Sequence, residues 1–216
     1  MRSSSASFIA ALTLLLAGTA PAAAQVAPPA ASEAAGEIPE GFTLDRDGTT
    51  LIHSASGLRF PAEFEGFKRL NERTFDPSGE YVAIGYDRPL GTSSDAASSK
   101  NRIVVRMAIV HIDEMPARDH YMIMRQAAMA HFAAPSIVSE GPAKIPTNTR
   151  LDAYRGTFSG YSENQPWLFS LTTVNYGYWS GRMTAAYPKA QSAEAEKYLG
   201  LLLGEVRSQK PKPPKR

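Results

Sequence analysis

Hydrophobic positions change period along this chain, and the changes divide it into strands and helices. Leu51–His53 and Leu58–Phe60 read as short strands around a Ser54–Gly57 turn, and Pro61 ends the second. Asp76-Pro77-Ser78-Gly79 is a turn leading into Glu80–Tyr86, where Tyr81, Ala83 and Gly85 alternate with Val82, Ile84 and Tyr86. After a Ser/Ala-rich loop at Thr92–Lys100, the stretch Arg102–Ile112 carries Ile103, Val105, Met107 and Ile109 on one face. Val104, Ala108, Val110 and Ile112 occupy the other, interrupted by Arg106. Apolar residues on both faces predict a central strand.

The period changes at Pro116. Tyr121, Met124, Ala128 and Phe132 recur at helical spacing, which predicts a helix over Ala117–Phe132 that Pro135 terminates. Strand-like composition returns at Ile137–Ile145, Leu151–Tyr161 and Trp167–Val174, with breaks at Pro146–Asn148 and Asn164–Pro166. Asn175–Gly177 then reads as a hairpin turn into Tyr178–Tyr187. Pro188 closes that strand, and Ser192 is placed to N-cap a helix over Ala193–Val206 with Glu194 in its first turn. Its core stripe is Ala195, Leu199, Leu202 and Val206. Connections this short within each strand group exclude repeated parallel crossovers, so the reading is an α+β domain with an antiparallel β-sheet covered by helices.

Gly57-Leu58-Arg59-Phe60-Pro61 near the domain start, the Arg102–Ile112 strand followed by a helix, and Trp167-Leu168-Phe169 leading to Arg182–Pro188 and the last helix together carry a family likeness. This organisation resembles the PsbP-like family of small exported proteins over about Leu51 to Val206. The resemblance implies an α/β/α sandwich and an accessory or binding role without a shared catalytic set, so it transfers no functional residue. The Thr92–Lys100 insertion and the basic C-terminal segment depart from that pattern.

Composition adds an address. Arg2 precedes an apolar run from Phe8 to Ala17, and Ala22 and Ala24 stand before Gln25 as a cleavage site, so residues 1–24 read as a secretory signal peptide. The run falls short of the ~20 residues that cross a bilayer, and no transmembrane segment is predicted elsewhere. Residues 25–48, rich in Ala and Pro, read as a flexible segment, 49–207 as a single domain, and 208–216 as a basic Lys/Pro-rich tail. The expected location is the periplasm, with full secretion as the alternative. Cysteine is absent, which excludes disulfides, thiol chemistry and a lipid-modified cysteine. The 23 basic residues slightly outnumber the 21 acidic ones, but Arg2, Arg207, Lys210, Lys212, Lys215 and Arg216 lie in the signal or at the C-terminal end. Residues 25–206 therefore hold 17 basic against 21 acidic residues, and this acidic balance argues against a nucleic-acid partner. The tail reads as a solubilising segment or as a contact for anionic lipid or cell-wall material.

Candidate chemistry is sparse. His111 and Asp113 stand two apart at a strand end near Glu114, Asp119 and His120. This is either a solvated corner or the site of a small envelope hydrolase or metal-dependent enzyme. His120 and His131 on one helix would lie about 16 Å apart and cannot share an ion. His53 is isolated, and Asp45-Arg46-Asp47-Gly48 matches only part of a calcium loop. No nucleophile elbow, phosphate loop or dinucleotide fingerprint occurs, so no catalytic residue, cofactor or metal is assigned. The second half is aromatic, from Tyr154, Phe158, Tyr161, Trp167 and Phe169 to Tyr187. Core packing accounts for most of these rings. Tyr176, Tyr178 and Trp179 flank the Gly177 turn and are the candidate ligand-binding residues. The functional expectation is a non-catalytic binding or accessory protein contacting an envelope protein, a peptide or a cell-wall ligand.

Overall fold

A computed structural model describes residues 38–91, 101–130, 133–145, 150–162 and 164–207. The expected signal peptide, the loop expected over residues 92–100, His131, Phe132, the expected break at Pro146–Asn148 and the basic tail lie outside the described residues. The chain runs β1 (Phe42–Leu44), β2 (Leu51–His53), β3 (Arg59–Phe60), β4 (Glu63–Phe64), β5 (Phe67–Thr74), β6 (Tyr81–Pro89) and β7 (Arg102–His111) before its first helix, α1 (Ala117–Met129). It continues through β8 (Ala133–Pro142), β9 (Ala153–Ser162), β10 (Gln165–Asn175), β11 (Trp179–Pro188), a 3₁₀ turn at Lys189–Gln191 and α2 (Ser192–Arg207). Strands β1 to β3 form a three-stranded sheet, and the other eight form one sheet in the order β4-β5-β6-β7-β11-β10-β9-β8. Every pairing is antiparallel, which is the α+β class that the short connections predict.

Alternation assigns each strand's residues to one of two faces. Val82, Ile84 and Tyr86, then Ile103, Val105, Met107 and Ile109, point to the same side as Leu168, Val174, Met183 and Tyr187. There they meet Leu199, Leu202, Leu203 and Val206 of α2 and Phe42, Leu51 and Phe60 of the small sheet. The opposite face carries Phe158, Phe169 and Leu171, which pack with Tyr121 and Ala128 of α1. Strand β7 lies between β6 and β11, the central position that its two-sided apolarity predicts.

Several boundaries differ from the sequence reading for identifiable reasons. Strand β5 is mostly polar, and it forms because its backbone pairs with β6 across Lys68–Thr74. Phe42 lies within the segment expected to be flexible, yet it is buried and β1 pairs with β2 through Phe42↔His53. Helix α1 stops at Met129 and β8 begins at Ala133, where Pro135 is tolerated because β8 is an edge strand. Ser192 does not cap α2: the 3₁₀ turn precedes it and it already has helical torsions, φ −58° and ψ −39°.

Two devices fix the layers. On the α2 side, buried His53 joins the small sheet to the main one: Nε2–H donates to the Gly79 carbonyl at 2.6 Å, while Nδ1 accepts from the Ser56 hydroxyl at 2.7 Å. Burial pushes the His53 imidazole below its ordinary pKa of 6.5. On the other side, the Tyr121 ring lies directly over Gly156, where an added Cβ would come within 1.9 Å of the tyrosine hydroxyl. That hydroxyl donates to Glu140, which also accepts from Arg125. The first turn of α1 is held by Asp152, which accepts from the Ala117 N–H at 2.7 Å, and by Thr173, which donates to the Ala117 carbonyl at 2.7 Å. His120 of α1 closes the contact with Nδ1 at 2.5 Å from Ser180 Oγ.

Replacing Gly156 with alanine should displace Tyr121 and cost about 1–3 kcal/mol by overpacking, read as a lowered urea midpoint; an unchanged midpoint would show that α1 is not seated there. Stability should also depend on pH through the two buried imidazoles. Burial, followed by the nearby Arg182 charge, lowers the His120 pKa from 6.5 to about 4. Above pH 6.5 both folded and unfolded imidazoles are neutral and the full stability is present. As pH falls toward 4 the unfolded chain takes up protons that folded His120 refuses, so stability is lost across that window. Urea unfolding at stepped pH should show this decline, and His120→Gln should make it shallower, leaving the contribution of His53. A midpoint constant between pH 6.5 and 4 would refute neutral burial.

Candidate functional site

Helix α1 lies over β9 and β10 and reaches β8 and β11. The same face of β6 and β7 carries Tyr81, Val104, Arg106, Ala108 and Val110, and β11 adds Arg182, Thr184 and Ala186. Between these strands and the flank of α1 runs a groove. It comprises a cavity of about 370 Å³ and a second of about 200 Å³, which share Tyr81, Met124 and Arg182. Met124 and Ala127 form the helix side of the first cavity, and Met115, His120 and Ile123 line the second. Phe75 stacks on Tyr81 at the far rim, with ring centroids 4.3 Å apart. The Arg73 and Arg106 guanidiniums stand 5.0 and 5.4 Å from the Phe75 ring.

The lining is apolar apart from cations and a few hydroxyls. Arg182 is half-buried between the two cavities, where it donates to Tyr81 Oη at 3.2 Å and to Met124 Sδ at 3.0 Å. Both acceptors are neutral. Register places Arg182 opposite Ala108 and Thr184 opposite Arg106, so the two arginines are diagonal neighbours on the groove floor. Neither is paired with a carboxylate among the described residues. Arg106 is exposed to solvent and Arg182 is half-buried, so the less solvated of the two cations is the one whose hydrogen-bond partners are a thioether and a phenol.

The residues predicted from sequence are dispersed. Trp179 is fully buried, with the rings of His53 and His111 5.3 and 5.2 Å away, so it has no surface to offer a ligand. Tyr176 is partly buried over Gly181, where an added Cβ would meet its Cε2 at 2.6 Å. Tyr178 alone of the three is exposed, at 53%. The hairpin turn thus presents one aromatic ring rather than a shared surface.

His111 and His120 do not converge either. His111 has Nδ1 3.3 Å from Glu80 Oε2 and Nε2 3.2 Å from Asp113 Oδ1, at the end of β7 on the side of Trp179. His120 packs against Ser180, the next residue along β11 and therefore on the opposite face of the sheet. Among the described residues no group of three His, Asp or Glu side chains could hold a metal ion. In Asp45–Gly48, the Asp47 carboxylate accepts from the Thr49 and Thr50 N–H groups at 2.8 Å, and Asp45 pairs with Arg59. That segment is a turn.

The groove residues were not singled out from sequence, although one signal pointed to them. Arg106 interrupts an otherwise apolar central strand, and a charge in that position must reach an opening on one sheet face.

No protein-family model matches this chain, and no curated protein matches it. Among solved structures, it is similar to the crystal structure of LpqN, a protein involved in cell envelope biogenesis of Mycobacterium tuberculosis. The identity is 12%, over 66% of this chain and 76% of that one, with a TM-score of 0.39.

Proposed function

We propose that this chain is a non-catalytic, exported binding protein of the cell envelope, and that the groove beside α1 holds its ligand. The proposed address is the periplasm, from the signal-like residues 1–24, and the proposed kinship is with the PsbP-like proteins. Support for that kinship comes from an antiparallel sheet with a helix on each face. One observation carries the binding role: Arg182 stands in an apolar groove with a thioether and a phenol as its hydrogen-bond partners. Holding a cation there without an anionic partner costs free energy in the empty protein, and a ligand that supplies the anion recovers it. Tyr178 remains the aromatic candidate at the hairpin turn, as a contact for a protein or cell-wall partner.

An apolar fluorescent dye bearing a sulfonate, such as anilinonaphthalene sulfonate, tests the site. The native protein should bind it saturably. Ala127→Trp, at an exposed position on the helix wall, should fill the groove and abolish the signal without changing the melting temperature. Tyr178→Ala should leave binding intact. If Ala127→Trp binds the dye as well as the native chain does, the groove is not the site; if Tyr178→Ala alone loses binding, the site is the hairpin turn.

A further inference from the structure

We infer that the groove takes a long-chain fatty carboxylate, its acyl chain lying on β7 and β11 beneath the flank of α1 and its carboxylate on Arg182. This rests on the groove being the binding site and adds the chemical class of the occupant. Three observations select that class. Arg182 lies at the junction of the two cavities, so a head group there leaves apolar surface in both directions: Val104 and Ala186 on one side, Val110 and Ile123 on the other. The second cationic group, Arg106, is a diagonal neighbour on the floor and reinforces the preference for an anion. The guanidinium fork matches a carboxylate in shape and charge.

The third observation excludes an extended peptide. The floor is the face of the sheet, and the backbone groups of β7 and β11 pair with each other across Val104–His111. A peptide laid on it would find no main-chain partners, because strand addition requires an open sheet edge. Side-chain acceptors for its N–H groups are few: Thr184 Oγ1, which donates to the Arg106 carbonyl, and Tyr81 Oη, which already accepts from Arg182, while the two guanidiniums only donate. Each amide buried there without a partner would cost free energy. A hydrocarbon chain makes no such demand, and its burial is favourable along the cavity that it enters from Arg182.

The test uses the mature chain and cis-parinarate, a fluorescent fatty carboxylate, in a titration competed by palmitate, by hexadecanol and by an uncharged apolar peptide. Saturable parinarate binding displaced by palmitate at least about tenfold better than by hexadecanol is the expected result, since a charge-assisted pair is worth more than a neutral one. Arg182→Gln should weaken palmitate binding by about tenfold and leave hexadecanol unaffected, with Arg182→Lys recovering part of the loss. Thermal melts check that each variant folds, and Ala127→Trp, which keeps Arg182, should abolish parinarate binding. Equal displacement by palmitate and hexadecanol would overturn the carboxylate assignment. Displacement by the peptide and not by palmitate would hand the groove to a peptide and overturn the class. If the sulfonated dye binds in the groove while parinarate does not, the fatty carboxylate falls and the groove stands. If neither binds, both readings fall.

Discussion

The seat of Tyr121 on Gly156 is the contact on which the rest of one sheet face depends. A side chain at position 156 would meet the tyrosine ring, so the absence of a Cβ lets α1 approach β9 closely enough to bury the ring completely. Burying a side chain of that size contributes on the order of 2–3 kcal/mol, and the Glu140 and Arg125 interactions fix its direction. Asp152 and Thr173 hold the first turn, so the helix is pinned at its beginning and near its middle. An eight-stranded sheet is wider than one helix can cover. Pinning α1 over β9 and β10 therefore leaves the face of β6 and β7 partly open, and the groove follows from that mismatch.

The other face is treated differently. There α2 and the three-stranded sheet both pack on the main sheet, and their contacts converge on buried Tyr86, Trp179 and Tyr187. His53 is the polar link in this layer, satisfied on both ring nitrogens and held against Trp179. Its neighbour in function is Gly79, whose left-handed torsion, φ +71°, lets the Asp76–Gly79 turn bring a carbonyl to the imidazole. The two faces differ in cover, one a sealed core that stabilises the sheet and the other a partly covered surface with a groove beside α1.

How much of this was legible in the sequence follows from what alternation can encode. Two-sided apolarity placed β7 at the centre, and the change of period at Pro116 placed α1, because both depend on local pattern. Strand β1 was missed because it is only three residues long and lies in the Ala/Pro-rich segment, and β5 because its residues are mostly polar. Trp179 was read as a surface candidate because alternation gives two faces without saying which is covered. What covers it is His53 and the small sheet, contributed from more than a hundred residues earlier. His111 and His120 looked adjacent for a related reason: parity is lost at the corner before Pro116, so residues close in sequence emerge on opposite sides of the sheet. The open groove was illegible as a volume, yet Arg106 marked its floor as a charge that a fully enclosed central strand would not keep.

The nearness of Arg182 to a neutral His120 couples the groove to the stability of the fold. Both line the second cavity, and the arginine's charge adds to desolvation in keeping the imidazole unprotonated. If His120 carried a proton at neutral pH, it would bring a second cation beside Arg182 and lose its low-cost burial against Ser180. Holding it neutral concentrates the positive charge of that cavity on one guanidinium whose partners are uncharged. A side chain without charge at position 182 would suit the apolar surroundings better and would relieve His120. In the proposed binding role an anionic ligand would supply the partner that Arg182 lacks, while the core on the opposite face stabilises the sheet.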